Sequence, residues 1–238
     1  MGRAYEVRKA SILKTGAAKG KIYTTFAKEI YLAAKKGLPD PDANVSLKRL
    51  IDKAKKEQVP NDIIERAIQK AKGVGGEDYH EVVYEGFGPG ASTLIIKTLT
   101  DNVNRTVGMV RASFNKLNKS LGVNNSVSYN YDYHAVVSVK LEEETVFNAL
   151  IENDIDPIDL ESENGITTIT VLPKEYDKLK DALEKIDSNI TYEFDEVGMF
   201  AKDEVVLNGE DLENFMKLYK LLDEIDDVTN IYHNVKLD

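Results

Sequence analysis

The chain has 238 residues, 42% of them hydrophobic and 30% charged, with a formal net charge of −10 and no cysteine. That is a soluble globular balance; no apolar run approaches the roughly 18 residues of a membrane span, and the start MGRAYEVRKASILKTG lacks the apolar core of a signal peptide. Without cysteine there are no disulfides, thiolate zinc sites or cysteine nucleophile, which fits a cytoplasmic location.

The charge is laid out unevenly. Met1 to Lys72 holds 17 Lys and Arg against 8 Asp and Glu, while the remaining 166 residues hold 14 against 33. A basic segment therefore precedes an acidic body. Either the two surfaces are solvated separately, or the basic segment meets a polyanion that the body does not.

Residues 19 to 72 read as three helices. Ile22, Phe26 and Ile30, with Tyr23, Ala27 and Tyr31 beside them, repeat every four residues as a buried helical stripe. Gly37 stands where a helix end takes a left-handed residue, and LPDPD follows as a turn. Asn44 is placed to cap a second helix with Leu47, Leu50, Ile51 and Ala54 inward. Pro60-Asn61 ends that helix and caps a third, whose inner face is Ile63, Ile64, Ala67, Ile68 and Ala71. GVGGED closes the helical domain.

Beyond it the periodicity changes. STLIIKTLT reads as a buried strand, followed by a helix over 103–118 with Val107, Val110, Phe114 and Leu117 on one face. VSYNYDYHAVVSVKL is strand-like. A helix over 143–153, the strand pair IDLES and ITTITVL around Glu163-Asn164-Gly165, a helix over 174–186 and the strand-like NITYEFDEV come next. A strand near Met199 to Val206, a helix over 210–224 and the strand VTNIYHNVKL complete the chain. The fold class is α+β: an N-terminal three-helix domain plus two small ferredoxin-like α/β modules, one inserted in the other. The domains are 1–76, then 77–130 with 197–238 as the outer module, and 131–196 as the insert.

The stretch YEGFGPG, Tyr84 to Gly90, invites a phosphate-loop reading that its spacing refuses. GxxxxGK[ST] is absent, GxGxxG fails at Ala91, and a strand follows where a phosphate loop needs a helix. The glycines are expected to supply positive φ in a tight turn. His80, His134 and His233 are scattered without metal-ligand spacing, no GxSxG elbow occurs, and no enzyme or cofactor site emerges. The acidic runs 142–144 and 223–227 read as solvated helix ends.

The basic residues carry the binding expectation. Arg3, Arg8, Lys9, Lys14, Lys19 and Lys21 lie in or beside an apolar-poor start; Lys48, Arg49, Lys53, Lys55 and Lys56 face away from the stripe of the second helix. Arg66, Lys70 and Lys72 extend the series along the third. Such cations suit a phosphate backbone. LTDNVNRT is a second candidate: Asp101, Asn102 or Asn104 can cap the next helix, while Arg105 opposes the helix dipole, pointing to an external partner or an ion pair with the body.

YEGFGPG, LTDNVNRT, DPDAN at 40–44, VPNDIIERAI at 59–68 and the closing DDV with IYHN together resemble the YebC/PmpR family, along the full length. The start MGRAYEVRKASILKT and the end IYHNVKL resemble its YeeN-type branch. The resemblance implies a cytoplasmic three-domain protein with a basic helical N-terminal domain that binds DNA as a transcriptional regulator, or that acts on translation through rRNA or tRNA on the ribosome. From another class, the basic face meets an acidic protein as an adaptor, and the acidic body offers a surface for a protein partner.

Overall fold

The computed structural model describes residues 19–73 and 78–237, with only the backbone of Lys19. Three helices open it: α1 Lys19–Lys36, α2 Val45–Lys56 and α3 Asn61–Lys72. Their inward stripes meet in one cluster that includes Phe26, Ile30, Leu47, Ile51, Ala54, Ile64 and Ile68.

Asn44 caps α2 as expected, accepting a 3.0 Å hydrogen bond from the Leu47 amide. Its Nδ2 also donates to the carbonyls of Ala33 and Leu38. That amide lies over Gly37, where an added Cβ would stand 2.6 Å from Nδ2. Gly37 is not among the positive-φ residues, so its glycine serves a close approach rather than a left-handed turn. At α3 the expected Asn61 cap is absent: the helix starts at Asn61, and Pro60 occupies the cap position with no side-chain bond.

Two four-stranded antiparallel sheets form the body. The outer sheet takes β1 His80–Phe87, β2 Thr93–Thr100, β3 Ser120–Leu121 and β8 Val228–His233, in the order β3-β1-β2-β8. Its helices, α4 Val103–Asn115 and α7 Gly209–Asp223, pack on one face through Val110, Phe114, Phe215, Leu218 and Leu222 against Leu94 and Ile96. Alternation along β2 sends Ile95 to the opposite face, against Val127, Tyr131 and Tyr232.

The second sheet takes β4 Tyr131–Val139, β5 Asp159–Glu163, β6 Ile166–Val171 and β7 Tyr192–Ala201, in the order β5-β6-β4-β7. With α5 Glu143–Glu152 and α6 Tyr176–Ile186 it runs β-α-β-β-α-β, the split βαβ pattern. Asn164 and Gly165, both at positive φ, turn β5 into β6. The fold is thus α+β, with helices first and two sheet modules after.

Two elements differ from the sequence expectation. No separate strand starts near Met199: β7 pairs with β4 from Tyr192 to Ala201, so those residues belong to the second sheet. Most of YEGFGPG is also strand, since β1 pairs with β2 from His80 to Phe87. The turn is residues 88–91, closed by the Gly88 amide donating to the Ser92 carbonyl at 2.8 Å. Only Gly90 there has positive φ; at Gly86 an added Cβ would meet the Phe114 ring at 2.5 Å. Close packing, more than φ, explains these glycines.

Candidate nucleic-acid interface

Most of the basic side chains on the helical domain face the protein's own acidic body. Lys21 on α1 donates to the Asp223 carbonyl and, at 3.0 Å, to its carboxylate. Two turns further along the same face of α1, Lys28 reaches Asp227 at 3.0 Å, with the Leu99 and Asp226 carbonyls also accepting from it. Lys35 and Lys36 pair with Asp78 and Glu81. The acidic run 223–227, expected to be solvated, is therefore in part the platform on which α1 docks.

On α2 the same thing happens against the second sheet module. Arg49 bridges Asp177 at 2.8 Å and Asp181 at 2.6 Å, both on α6, and its side chain is only 17% exposed. Lys53 lies 3.7 Å from Glu196 of β7, and Lys56 stands over the Tyr192 ring at 5.2 Å. Arg49, Lys53, Lys56, Asp177 and Tyr192 line a cleft of about 800 Å³ between α2 and the second sheet module, together with Tyr176, Lys180 and Asp195. Lys180 is buried; desolvation lowers its pKa, although Asp195 accepts from it at 2.6 Å. Cations and carboxylates alternate around this cleft, so it has no single charge to offer a ligand.

Arg105 resolves toward the ion-pair alternative. Asn102 caps α4 by accepting from the Arg105 amide, while the guanidinium donates to Asp101 and Asp227, each at 2.7 Å. Asp227 also accepts from the hydroxyls of Thr100 and Thr106. Burial alone would raise this carboxyl; donation from Arg105, Thr106 and Lys28 instead holds its pKa at about 2. One carboxylate thus ties α1, α4, β2 and the start of β8 together.

What is left exposed is a smaller set. Lys48 and Lys55, seven residues apart on one face of α2, and Lys72 at the end of α3 are exposed and make no ion pair with the described residues. Arg66 is 80% exposed at its side chain and, among the described residues, pairs only with Asp62 one turn earlier, while Lys70 stands over the Tyr31 ring. Arg3, Arg8, Lys9 and Lys14 lie outside the described residues, as does the Lys19 side chain. What sequence reasoning missed is the acid half of the docking pairs: Asp78, Glu81, Asp177, Asp181, Glu196, Asp223 and Asp227. No local signal marks them, because their partners lie 122 to 202 positions away for the Asp227 and Asp223 contacts.

His233 is buried against Phe215 and Tyr219, and its Nδ1 accepts from the Val235 amide. Burial lowers its pKa to about 4, leaving it neutral near pH 7. Among the described residues no group of His, Asp and Glu is arranged to hold a metal ion, and no helix is long and apolar enough to cross a membrane.

Comparison with known proteins places this arrangement. Residues 3–74 match the TACO1/YebC protein N-terminal domain, and residues 79–235 match the TACO1/YebC second and third domain. A protein of Acholeplasma laidlawii named probable transcriptional regulatory protein is 48% identical, the match covering 99% of this chain and 98% of that one. One of the same name from Chromohalobacter salexigens is 46% identical over 100% and 99% of the two chains. The crystal structure of a conserved hypothetical protein from Aquifex aeolicus superposes with a TM-score of 0.75 at 32% identity, covering 93% of this chain and 92% of that one. With both parts matched in order, and relatives nearly half identical from end to end, the chain belongs to the TACO1/YebC family.

Proposed function

We propose that this protein is a non-enzymatic regulator of gene expression that binds nucleic acid through its basic N-terminal segment. The observation that carries the reading is the set Lys48, Lys55 and Lys72, exposed and unpaired among the described residues while their neighbours Arg49 and Lys53 are engaged by the body. Arg66 and Lys70 flank them, and Arg3, Arg8, Lys9, Lys14 and Lys19 precede them in sequence. Cations without an internal acid are available to phosphates, where they contribute affinity but read no bases. The relatives' name, probable transcriptional regulatory protein, supports DNA as the target.

One observation favours a second reading, a translation factor touching rRNA or tRNA. The residues after Lys72 hold 14 Lys and Arg against 33 Asp and Glu. A long duplex lying along that surface is repelled, whereas a compact RNA element touching one end is not.

The test is Lys48→Ala, Lys55→Ala and Lys72→Ala combined in the full chain, with duplex DNA and folded RNA of unrelated sequences as probes. Binding weakens by similar factors for each sequence, and the slope of log K against log[salt] falls by about 0.9 per lost contact on duplex DNA. Loss on one sequence alone indicates base reading. Unchanged affinity and slope in a folded variant reject the assignment.

A further inference from the structure

Residues 102–131 contain no Asp or Glu, although they lie within the acidic body. The cations in that stretch are Arg105, Arg111, Lys116 and Lys119. Arg105 is held by Asp101 and Asp227, but Arg111 and Lys116 are exposed and have no ion-pair partner among the described residues. Helical spacing puts Asn104, Gly108, Arg111 and Asn115 on one face of α4, with Met109, Ala112 and Lys116 beside them. All seven are exposed, on the side away from Val110 and Phe114, which fill the core.

Gly108 interrupts this face at its centre. Glycine is the poorest helix former after proline, and this one sits mid-helix. Its φ is not positive, and an added Cβ would meet nothing within 4 Å. No packing or turn inside the protein accounts for it, unlike Gly37 and Gly86. A bare stretch of helix backbone at the centre of a face suits close approach by something outside the chain. The helix dipole explains a cation at Lys116, near the C-terminal end, but neither Arg111 nor Gly108 in the middle.

The neighbouring helix limits what can approach. Glu210, Asp211 and Glu213 are exposed at the start of α7, which packs beside α4 on the same face of the outer sheet. A rigid duplex longer than the patch would run its phosphates over those carboxylates. A loop presents a few phosphates and splayed bases at one point, to which amides and a guanidinium can donate. We propose that the exposed face of α4, centred on Gly108 and Arg111 and continued by Lys116, is a docking surface for the phosphate backbone of an RNA loop. This rests on the nucleic-acid reading above and adds a contact surface on the body, separate from the lysines of α2 and α3.

The experiment uses the full chain, a short RNA hairpin and a DNA duplex with the sequence of its stem, by fluorescence anisotropy over a range of salt. Arg111→Ala with Lys116→Ala is expected to weaken hairpin binding about tenfold or more. The salt slope falls by about 0.7 per lost contact on the single-stranded loop. Gly108→Leu weakens the hairpin comparably while its Tm stays level or rises, because leucine is the better helix former. Duplex binding changes little in either variant. Hairpin affinity as in the wild type, or a lower Tm for Gly108→Leu, overturns the proposal. Equal loss on the duplex overturns the choice of an RNA loop. If the Lys48, Lys55 and Lys72 variant loses binding while both α4 variants keep it, this surface fails and the broader reading stands; if the wild type binds neither probe, both fall.

Discussion

Asp227 shows how one side chain can carry several elements. Lys28, Arg105, Thr100 and Thr106 all donate to it, and its carboxyl sits at about 2 against an ordinary 3.8. A depressed folded pKa means stability that is fully present above the unfolded value and lost as pH falls through the folded one. From that linkage the ionised carboxylate contributes about 2 kcal/mol. The Tm of the wild type should therefore drop between about pH 4 and pH 2 more steeply than that of Asp227→Asn, which should already be lower at pH 7. Parallel acid curves for the two proteins would reject this role. At the other end of the helical domain, Asn44→Ala removes a cap and two bonds to the Ala33 and Leu38 carbonyls. It should cost about 1–2 kcal/mol in urea unfolding, with the m-value unchanged.

At the scale of elements, ion pairs join the helices to the body at several points. Arg49 holds two carboxylates that are themselves 52% and 63% exposed, so each pair is worth no more than about 1 kcal/mol. Lys28 and Asp227 are far more enclosed, at 12% and 7% exposure. Arg49→Ala with Lys53→Ala should thus loosen α2 from α6 and β7 while leaving the Leu47, Ile51 and Ala54 core intact. Hydrogen exchange should quicken on the facing surfaces, and high salt should reproduce part of the effect in the wild type. Unchanged protection in the variant would mean that apolar contact, not charge, seats α2. The hairpin at residues 88–91 makes a different prediction. Its amides close on Ser92 and Pro89 within the turn, so saturating ATP should not shift the Tm, where a true ligand at 100 times its Kd adds about 2.7 kcal/mol.

For the whole molecule, the contrast between a basic start and an acidic body has two parts. One part is internal: Lys21, Lys28, Lys35, Lys36, Arg49 and Lys53 pair with body carboxylates. The other faces outward, at Lys48, Lys55 and Lys72 and on α4. Lys48, Arg49 and Lys53 look alike in sequence, yet the fold divides them. Lys48→Ala should alter nucleic-acid affinity and its salt slope with Tm unchanged, whereas Arg49→Ala should alter domain docking first. If the two variants cannot be told apart by Tm and anisotropy together, the division is wrong.

The sequence by itself determined much of what local periodicity and spacing carry, though not the cap of α3 or the bounds of β7. The stripes of α1 to α3, the Asn44 cap, the Asn164-Gly165 hairpin and the split βαβ order were all legible, because each depends on residues within a few positions of one another. The glycine spacing excluded a phosphate loop for the same reason. Only the tertiary structure decided which charges are free. A lysine on the polar face of a helix looks the same whether it meets water or a carboxylate 199 to 202 residues away, as the Lys28 and Lys21 contacts do. The reasons for Gly37 and Gly86 were hidden likewise, since the amide and the ring that need their missing Cβ arrive from elsewhere in the chain. Strand β1 escaped because its glycines imitate a turn until β2 and β3 pair on either side of it. Chemistry local to the chain is written in the sequence; the pairing of distant charges and surfaces exists only once the chain has folded.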